Sequence, residues 1–159
     1  MKGVRPLLDQ VLAEAISILR REHVRVFTFA FYHDHESHAV GVCADTEESS
    51  KRLVASSNAY GQKYFWPAID EGDLKAAGLW NANVGRSLSL GDFAFVNLAR
   101  TDLPHGKITK ELYVEMVRAI RMREDEIVSL AVARETLLFC ASGPDDEVAL
   151  TWAPAAPRK

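Results

Sequence analysis

The sequence predicts an α+β domain in which a mainly antiparallel sheet of about five strands is covered by helices. Periodic segments follow one another in the order α-β-β-α-α-β-α-α-β-β, and two pairs of neighbouring strands have connections too short for the crossover that a parallel pair requires. The 159 residues, 48% hydrophobic and 26% charged, have the composition of one ordinary globular domain. We therefore expect a single domain over residues 1–152 and a flexible tail over residues 153–159.

The first three elements follow from their hydrophobic periods. Between Leu7 and Leu19 the apolar residues recur at helical spacing, which predicts an amphipathic helix. Residues 24–32 are predicted to form a strand, whose successive side chains point to opposite faces of the sheet. Both sets of side chains are largely apolar, as in a strand near the middle of a sheet that is covered on both sides. Residues 38–44 are predicted to be its antiparallel neighbour.

A second helix is predicted to follow directly. Asp45 is the expected N-cap because Glu48 stands three residues later, the spacing of a capping box. We expect this helix to end near Tyr60, since Gly61 and Pro67 interrupt the pattern. The aromatic residues of this region are then expected to cap the core: Tyr60, Tyr64, Phe65, Trp66 and Trp80.

The second half of the chain predicts a third strand, a helix and a final hairpin. The strand is expected over residues 93–99, and Thr109 can cap the helix that follows. A charged corner and a short helix then lead to a hairpin formed by residues 136–141 and 148–152. The turn between them is rich in Gly, Pro and Asp.

The charge balance argues against nucleic acid and membrane partners. Lys and Arg number 19 against 22 Asp and Glu, a formal charge of −3, and there is no clustered basic stripe of the kind that binds phosphates or anionic lipid. No run approaches the roughly 20 apolar residues that span a bilayer, and the N-terminus lacks the pattern of a signal peptide. Cys43 and Cys140 lie in apolar strands, as buried free thiols do. We expect a cytosolic protein.

Three histidines form the sharpest chemical pattern. His33, His35 and His38 have the spacing His-x-His-x-x-His, which resembles the metal-binding signature of the metallo-β-lactamase superfamily. Ser37 stands where that signature has an Asp, and His105 is the one histidine that remains downstream. The favoured interpretation is a polar hairpin turn without a metal. The alternative is a metal-dependent hydrolase that uses the three histidines.

Other catalytic patterns are missing from the sequence. There is no phosphate-binding loop with its Lys-Ser or Lys-Thr, and no Gly-x-Ser-x-Gly. In the loop around Asn81 and Asn83 we expect the amides to stabilise turns and Arg86 to pair with Asp92. The alternative is that this loop binds a ligand. The residues therefore predict no cofactor and no enzymatic site.

Five ordered segments carry a family resemblance. The segments are Phe31-Tyr32, residues 42–49 (Val-Cys-Ala-Asp-Thr-Glu-Glu-Ser), Trp80, residues 85–93 (Gly-Arg-Ser-Leu-Ser-Leu-Gly-Asp-Phe) and residues 150–152 (Leu-Thr-Trp). Together they resemble a bacterial family of small α+β domains of unknown function, which is similar to candidate immunity proteins of polymorphic toxin systems. The resemblance implies a cytosolic protein that binds and neutralises a cognate toxin and has no active site of its own.

An acidic inhibitor associates faster with a basic partner than with a neutral one. The alternatives are that the acidic residues are an ordinary solvated surface, or that the chain is a structural subunit of a homo-oligomer. The residues predicted to contact a partner are Asp45, Glu47, Glu48, Asp70, Glu71, Asp73 and Arg86.

Overall fold

A computed structural model describes residues 3–157 as a single α+β unit built on a five-stranded sheet of order β3-β2-β1-β4-β5. Two 3-10 turns, at Leu90–Asp92 and Arg134–Thr136, accompany the regular elements. Those elements are α1 (Val4–Arg21), β1 (Thr28–Asp34), β2 (Ala39–Asp45), α2 (Glu47–Asp70), α3 (Leu74–Gly78), β3 (Phe95–Asp102), α4 (Lys110–Met122), α5 (Glu124–Val128), β4 (Leu138–Ala141) and β5 (Leu150–Trp152).

The sheet is mostly antiparallel, which confirms the predicted class. The β1–β2 pair runs from Thr28 opposite Asp45 to Asp34 opposite Ala39, and the β2–β3 and β4–β5 pairs are also antiparallel. The β1–β4 pair is parallel. The chain between these two strands includes α2 to α5 and is therefore long enough for the crossover that a parallel pair needs.

The main core lies between one face of the sheet and the helices α1 and α4. Phe29, Phe31 and Phe139 are completely buried on this face, and the predicted apolar stripe of α1 packs onto them. The α1 residues in the core are Leu8, Val11, Leu12, Ala15, Ile16 and Leu19. This packing explains why α1 carries a narrow apolar stripe between polar residues.

The opposite face of the sheet is covered by a loop. Tyr32, Cys43 and Cys140 lie on this face and are buried under Leu90 and Phe93. The burial of both cysteines as free thiols confirms the prediction made from their apolar surroundings.

The boundaries predicted for α2 are wrong at both ends. Thr46 is the N-cap, and its hydroxyl oxygen accepts a hydrogen bond from the Ser49 N–H at 3.2 Å. The helix continues through Gly61 and Pro67 to Asp70. Proline removes one backbone donor, but Pro67 lies in the last turn of a 24-residue helix, where the loss of one bond is tolerated.

The start of the predicted tail contacts the body of the protein. The Ala155 N–H donates to a Glu124 carboxylate oxygen at 2.7 Å, and the Arg134 guanidinium donates to the Ala155 carbonyl at 2.8 and 3.0 Å. These bonds hold the chain as far as residue 155. Residues 158–159 of that tail, like residues 1–2, lie outside the described residues.

Within residues 3–157, none of the helices combines the length and apolar character required to cross a membrane.

Candidate protein-binding surface

Residues 51–80, which comprise most of α2 together with α3, form a unit that we call the arm. The buried residues within it are Gly61, Ala68 and Ala77, all of them small. Small residues allow the two helices to approach closely, so α2 and α3 pack on each other. Among the described residues, neither hydrophobic cluster of the body includes a residue of the arm. The large side chains of the arm therefore do not stabilise the main core.

Three aromatic side chains of the arm pack together at its surface, and we call them the aromatic cluster. Tyr64 stacks on Trp80 with ring centroids 4.4 Å apart and an interplanar angle of 19°. Tyr60 meets both rings at 5.3 and 6.3 Å, and the Tyr60 and Tyr64 hydroxyls are 2.9 Å apart. Their exposed fractions are 52% for Tyr60, 42% for Tyr64 and 37% for Trp80. The cluster is ordered by its own contacts and remains accessible.

The prediction that these aromatic residues cap the core is wrong. It depended on α2 ending near Tyr60, but the helix continues and carries Tyr64 and Trp66 out along the arm. Trp66 is 58% exposed and contacts Phe65 edge-on. The absence of a helical hydrophobic period was the signal that could have shown this. Residues 51–66 have no apolar stripe at a spacing of 3.6 residues, which is typical of a helix that does not face a core.

The arm ends in a turn with three carboxylates, which we call the acidic tip: Asp70, Glu71 and Asp73. Gly72 has φ = 73°, and its N–H and that of Asp73 bond to the carbonyls of Ile69 and Ala68, a Schellman ending that favours glycine at this position. Asp73 caps α3 by accepting the Ala76 N–H at 2.9 Å. None of the three carboxylates forms an ion pair with another described residue.

The structure does not bring the predicted acidic residues together on one face. Asp45, Glu47 and Glu48 lie at the start of α2, and the acidic tip lies at its other end, about 35 Å away along a helix of this length. Glu48 is exposed, while Glu47 pairs with Lys51 at 2.8 Å.

Asp45, a predicted partner contact, lies inside the protein. It is 1% exposed, and one of its carboxylate oxygens accepts the N–H groups of Thr46 and Ala94, both at 3.0 Å. Its carboxylate satisfies backbone donors at the end of β2, so it is not available to a partner.

Arg86 also acts inside the protein. Its guanidinium donates to the Phe27 carbonyl at 2.6 Å and the Thr136 carbonyl at 2.7 Å, and lies 3.8 Å from the centre of the Phe27 ring. Burial lowers the pKa of Arg86. The predicted pair with Asp92 is wrong, because Asp92 instead accepts the Ser89 hydroxyl at 2.8 Å. Arg86 therefore joins β1 to the start of β4.

The predicted turn-stabilising role of the loop amides is confirmed for Asn83. Its side-chain oxygen accepts the Gly85 N–H at 2.8 Å, and its amide donates to the Arg86 carbonyl at 3.2 Å. The Asn83 backbone also exchanges two hydrogen bonds with the Asn58 side chain at 2.9 and 3.0 Å. These bonds attach the arm to the loop that carries Arg86.

The three histidines gather at the β1–β2 hairpin, but His33 does not lie in a polar turn. It is 3% exposed, and its Nδ1 lies 3.1 Å from the Tyr113 hydroxyl. The ring centroids of His35 and His38 are 4.4 and 6.4 Å from that of His33. Burial, and then the neighbouring imidazoles, lower the pKa of His33. In the part of the chain that the structure describes, no three His, Cys, Asp or Glu side chains are placed to share a metal ion.

A second polar group lies on the face of the sheet that the loop covers. Tyr32 donates to Asn97, and Arg100 donates to the Tyr32 hydroxyl at 3.4 Å and pairs with Asp34 at 2.9 Å. Asn97 has φ = 52° beside an irregularity in the β2–β3 pairing. A Cβ on Gly41 would lie 3.0 Å from the Tyr32 ring. This close approach explains why residue 41 is a glycine. The polar side chains of the network form their hydrogen bonds and ion pair with one another, within the chain.

The two thiols are poor candidates for nucleophiles in this structure. Burial raises the pKa of Cys43, and it raises the pKa of Cys140 to about 12. Both groups therefore stay protonated near neutral pH, while nucleophilic attack requires the thiolate.

Comparisons of the chain with family models, with curated proteins and with solved structures gave no match.

Proposed function

We propose that the protein is a non-enzymatic, cytosolic protein-binding domain that neutralises a cognate bacterial toxin through its arm. The observation that carries the proposal is the aromatic cluster, whose three rings are all more than a third exposed and contact one another outside the core. Tyr and Trp are enriched among the residues that dominate binding energies. Rings already held by one another lose less side-chain entropy when a partner covers them.

The acidic tip supports the choice of a basic partner. Its carboxylates have no ion-pair partner among the described residues. They lie at the end of the same arm that carries the aromatic cluster. Opposite charge on a partner would speed the encounter and orient it, while the aromatic cluster supplies most of the affinity.

The proposal requires a cognate toxin domain, and binding to that domain tests it. The Tyr64→Ser/Trp80→Ser variant should bind about 30- to 1,000-fold more weakly, because two central aromatic residues each contribute on the order of 1–2 kcal/mol. It should also fail to protect cells that express the toxin.

The matched control is Val114→Ser/Leu150→Ser. These side chains are 45% and 46% exposed on α4 and β5, away from the arm. The control should bind like the wild type. An arm variant that binds and protects normally would refute the proposal.

A further inference from the structure

One face of α2 is exposed along the arm, and we call it the outer seam. Gly61 and Ala68 mark the opposite side of the helix, since both are buried and a Cβ on Gly61 would lie 3.7 Å from the Trp80 carbonyl. At about 100° per residue, the residues that face away from them follow one another in steps of four and three. The six residues of the outer seam, all exposed, are Arg52, Ser56, Ala59, Lys63, Trp66 and Asp70.

The spacing of the outer seam is that of a helix that pairs with another helix. A repeat of alternating four- and three-residue steps keeps one face of a helix turned toward its partner in a coiled coil. Arg52 and Asp70 are 18 residues apart in α2, which corresponds to five turns and about 27 Å. A second helix can therefore lie along the seam over its full length.

The two ends of the outer seam carry opposite charges. Arg52 lies near its start and Asp70 at its end, and neither forms an ion pair with another described residue. A parallel copy of the helix would bring like charges together. An antiparallel copy places each Arg52 opposite Asp70 of the other chain, so the seam is complementary to itself.

The same register matches the sizes of the side chains between these ends. The steps of four and three are the same in both directions along the seam. With Arg52 opposite Asp70 of the second copy, Trp66 faces Ser56 and Lys63 faces Ala59. Each large side chain then meets a small one. Trp66, which is 58% exposed and contacts Phe65 edge-on, becomes covered.

We propose that two copies of the chain form a symmetric dimer in which the outer seams of their α2 helices pair antiparallel. The two-fold axis passes between Ala59 and Lys63, and every contact therefore occurs twice. Two Trp66 rings supply the buried apolar area. Two pairs of Arg52 with Asp70 set the direction of the helices.

Charge reversal tests this direction. Arg52→Asp places two acidic side chains opposite each other at both ends of the dimer, and Asp70→Arg places two basic ones there. Sedimentation equilibrium of the full chain at low salt should show wild type self-associating between about 1 µM and 1 mM. Each single variant should raise the dissociation constant at least about tenfold. Both variants should stay folded, because neither change opposes the helix macrodipole.

Two combinations of these changes should restore the dimer. The Arg52→Asp/Asp70→Arg variant exchanges the two charges and should dimerise like wild type. An equimolar mixture of the two single variants should form a heterodimer, because the two new side chains face each other and the two native ones do the same. Failure of both combinations would overturn the antiparallel register.

Two controls separate the seam from general effects. Lys107→Asp changes the net charge as Arg52→Asp does, but in an exposed loop, and should dimerise like wild type. Trp66→Ser should weaken the dimer at least about tenfold, whereas Leu74→Ser, at a 77% exposed position of α3, should not. Wild type that stays monomeric up to about 1 mM, or an equal loss in Lys107→Asp, would overturn the inference.

The dimer and the proposed function fail separately. Tyr64 is one residue from Lys63 and about 100° around the helix, so the aromatic cluster lies beside the outer seam and stays open in the dimer. A dimer that binds no toxin would overturn the proposed function alone. A monomer that binds the toxin would overturn this inference alone.

Discussion

The body and the arm use their apolar residues in different ways. In the body, the apolar stripes of α1 and α4 pack into the main core, where Leu12, Leu112 and Ile120 are completely buried. In the arm, α2 buries only Gly61 and Ala68 among the described residues, while Tyr60, Tyr64 and Trp66 stay exposed. Burial explains the sequence of the body. The aromatic residues of the arm need another explanation, which the proposed binding to a partner would provide.

The largest effect on stability should come from a core aromatic residue. Phe29 is completely buried and meets Phe139 edge-on at 6.5 Å. Phe29→Ala should lower the free energy of unfolding by about 3–5 kcal/mol, because it removes apolar contacts and leaves a cavity. Denaturant unfolding measures this loss. A loss below about 1 kcal/mol would show that the body lacks the tight packing described above.

Arg86→Ala should have the next largest effect, a loss of about 2–3 kcal/mol. The Thr136 carbonyl loses its charged donor and the Phe27 ring loses its cation, and a partly buried acceptor left unpaired costs free energy. Arg86→Lys should restore only part of the stability, because lysine cannot donate to both carbonyls with a planar fork. Full recovery with lysine in urea unfolding would refute the role given to the guanidinium.

His33 should make stability depend on pH. Because its pKa is lowered in the folded protein, the unfolded chain takes up a proton first, near the ordinary pKa of about 6.5. Stability should therefore be complete above about pH 6.5 and fall below it, by at most about 1.4 kcal/mol per pH unit for one proton.

The comparison of wild type with His33→Gln at about pH 7.5 and 5.5 isolates this contribution, since the lowered pKa of Asp34 acts only below about pH 4. The variant should lose less stability on acidification. His105→Gln, in an exposed loop, is the control. An unchanged pH dependence in His33→Gln would contradict the assignment.

The smallest effect on stability is expected in the arm. Tyr60→Ser/Tyr64→Ser removes two exposed rings that contact each other, Trp80 and Lys63, all within the arm, so the free energy of unfolding should fall by about 1 kcal/mol or less. Thermal unfolding measures it. A loss comparable to that of Phe29→Ala would show that the arm belongs to the cooperative core.

Local periodicity predicted the body well and the arm poorly. The α1 stripe and the two hairpins follow from short-range patterns, but the β1–β4 pairing joins residues 28–31 to 138–141, and no local pattern specifies such a distant neighbour. Gly61 and Pro67 were treated as breakers, yet the first is buried within the arm and the second lies in the last turn of α2.

The burial of His33 could have been predicted from the strand itself. Alternate residues of a strand share a face, so His33 follows Phe29 and Phe31 into the core. Its spacing with His35 and His38 drew attention to the metal pattern instead. By contrast, the network of Tyr32, Asn97 and Arg100 needs the positive φ of Asn97, which a sequence pattern does not specify.

Hydrogen exchange of the chain with and without the proposed cognate toxin domain tests the central claim most directly. The account predicts that binding slows exchange over residues 57–80, which contain the aromatic cluster and the acidic tip, and leaves α4 and the β4–β5 hairpin unchanged. Protection confined to the body, with the arm exchanging as fast as in the free protein, would contradict it.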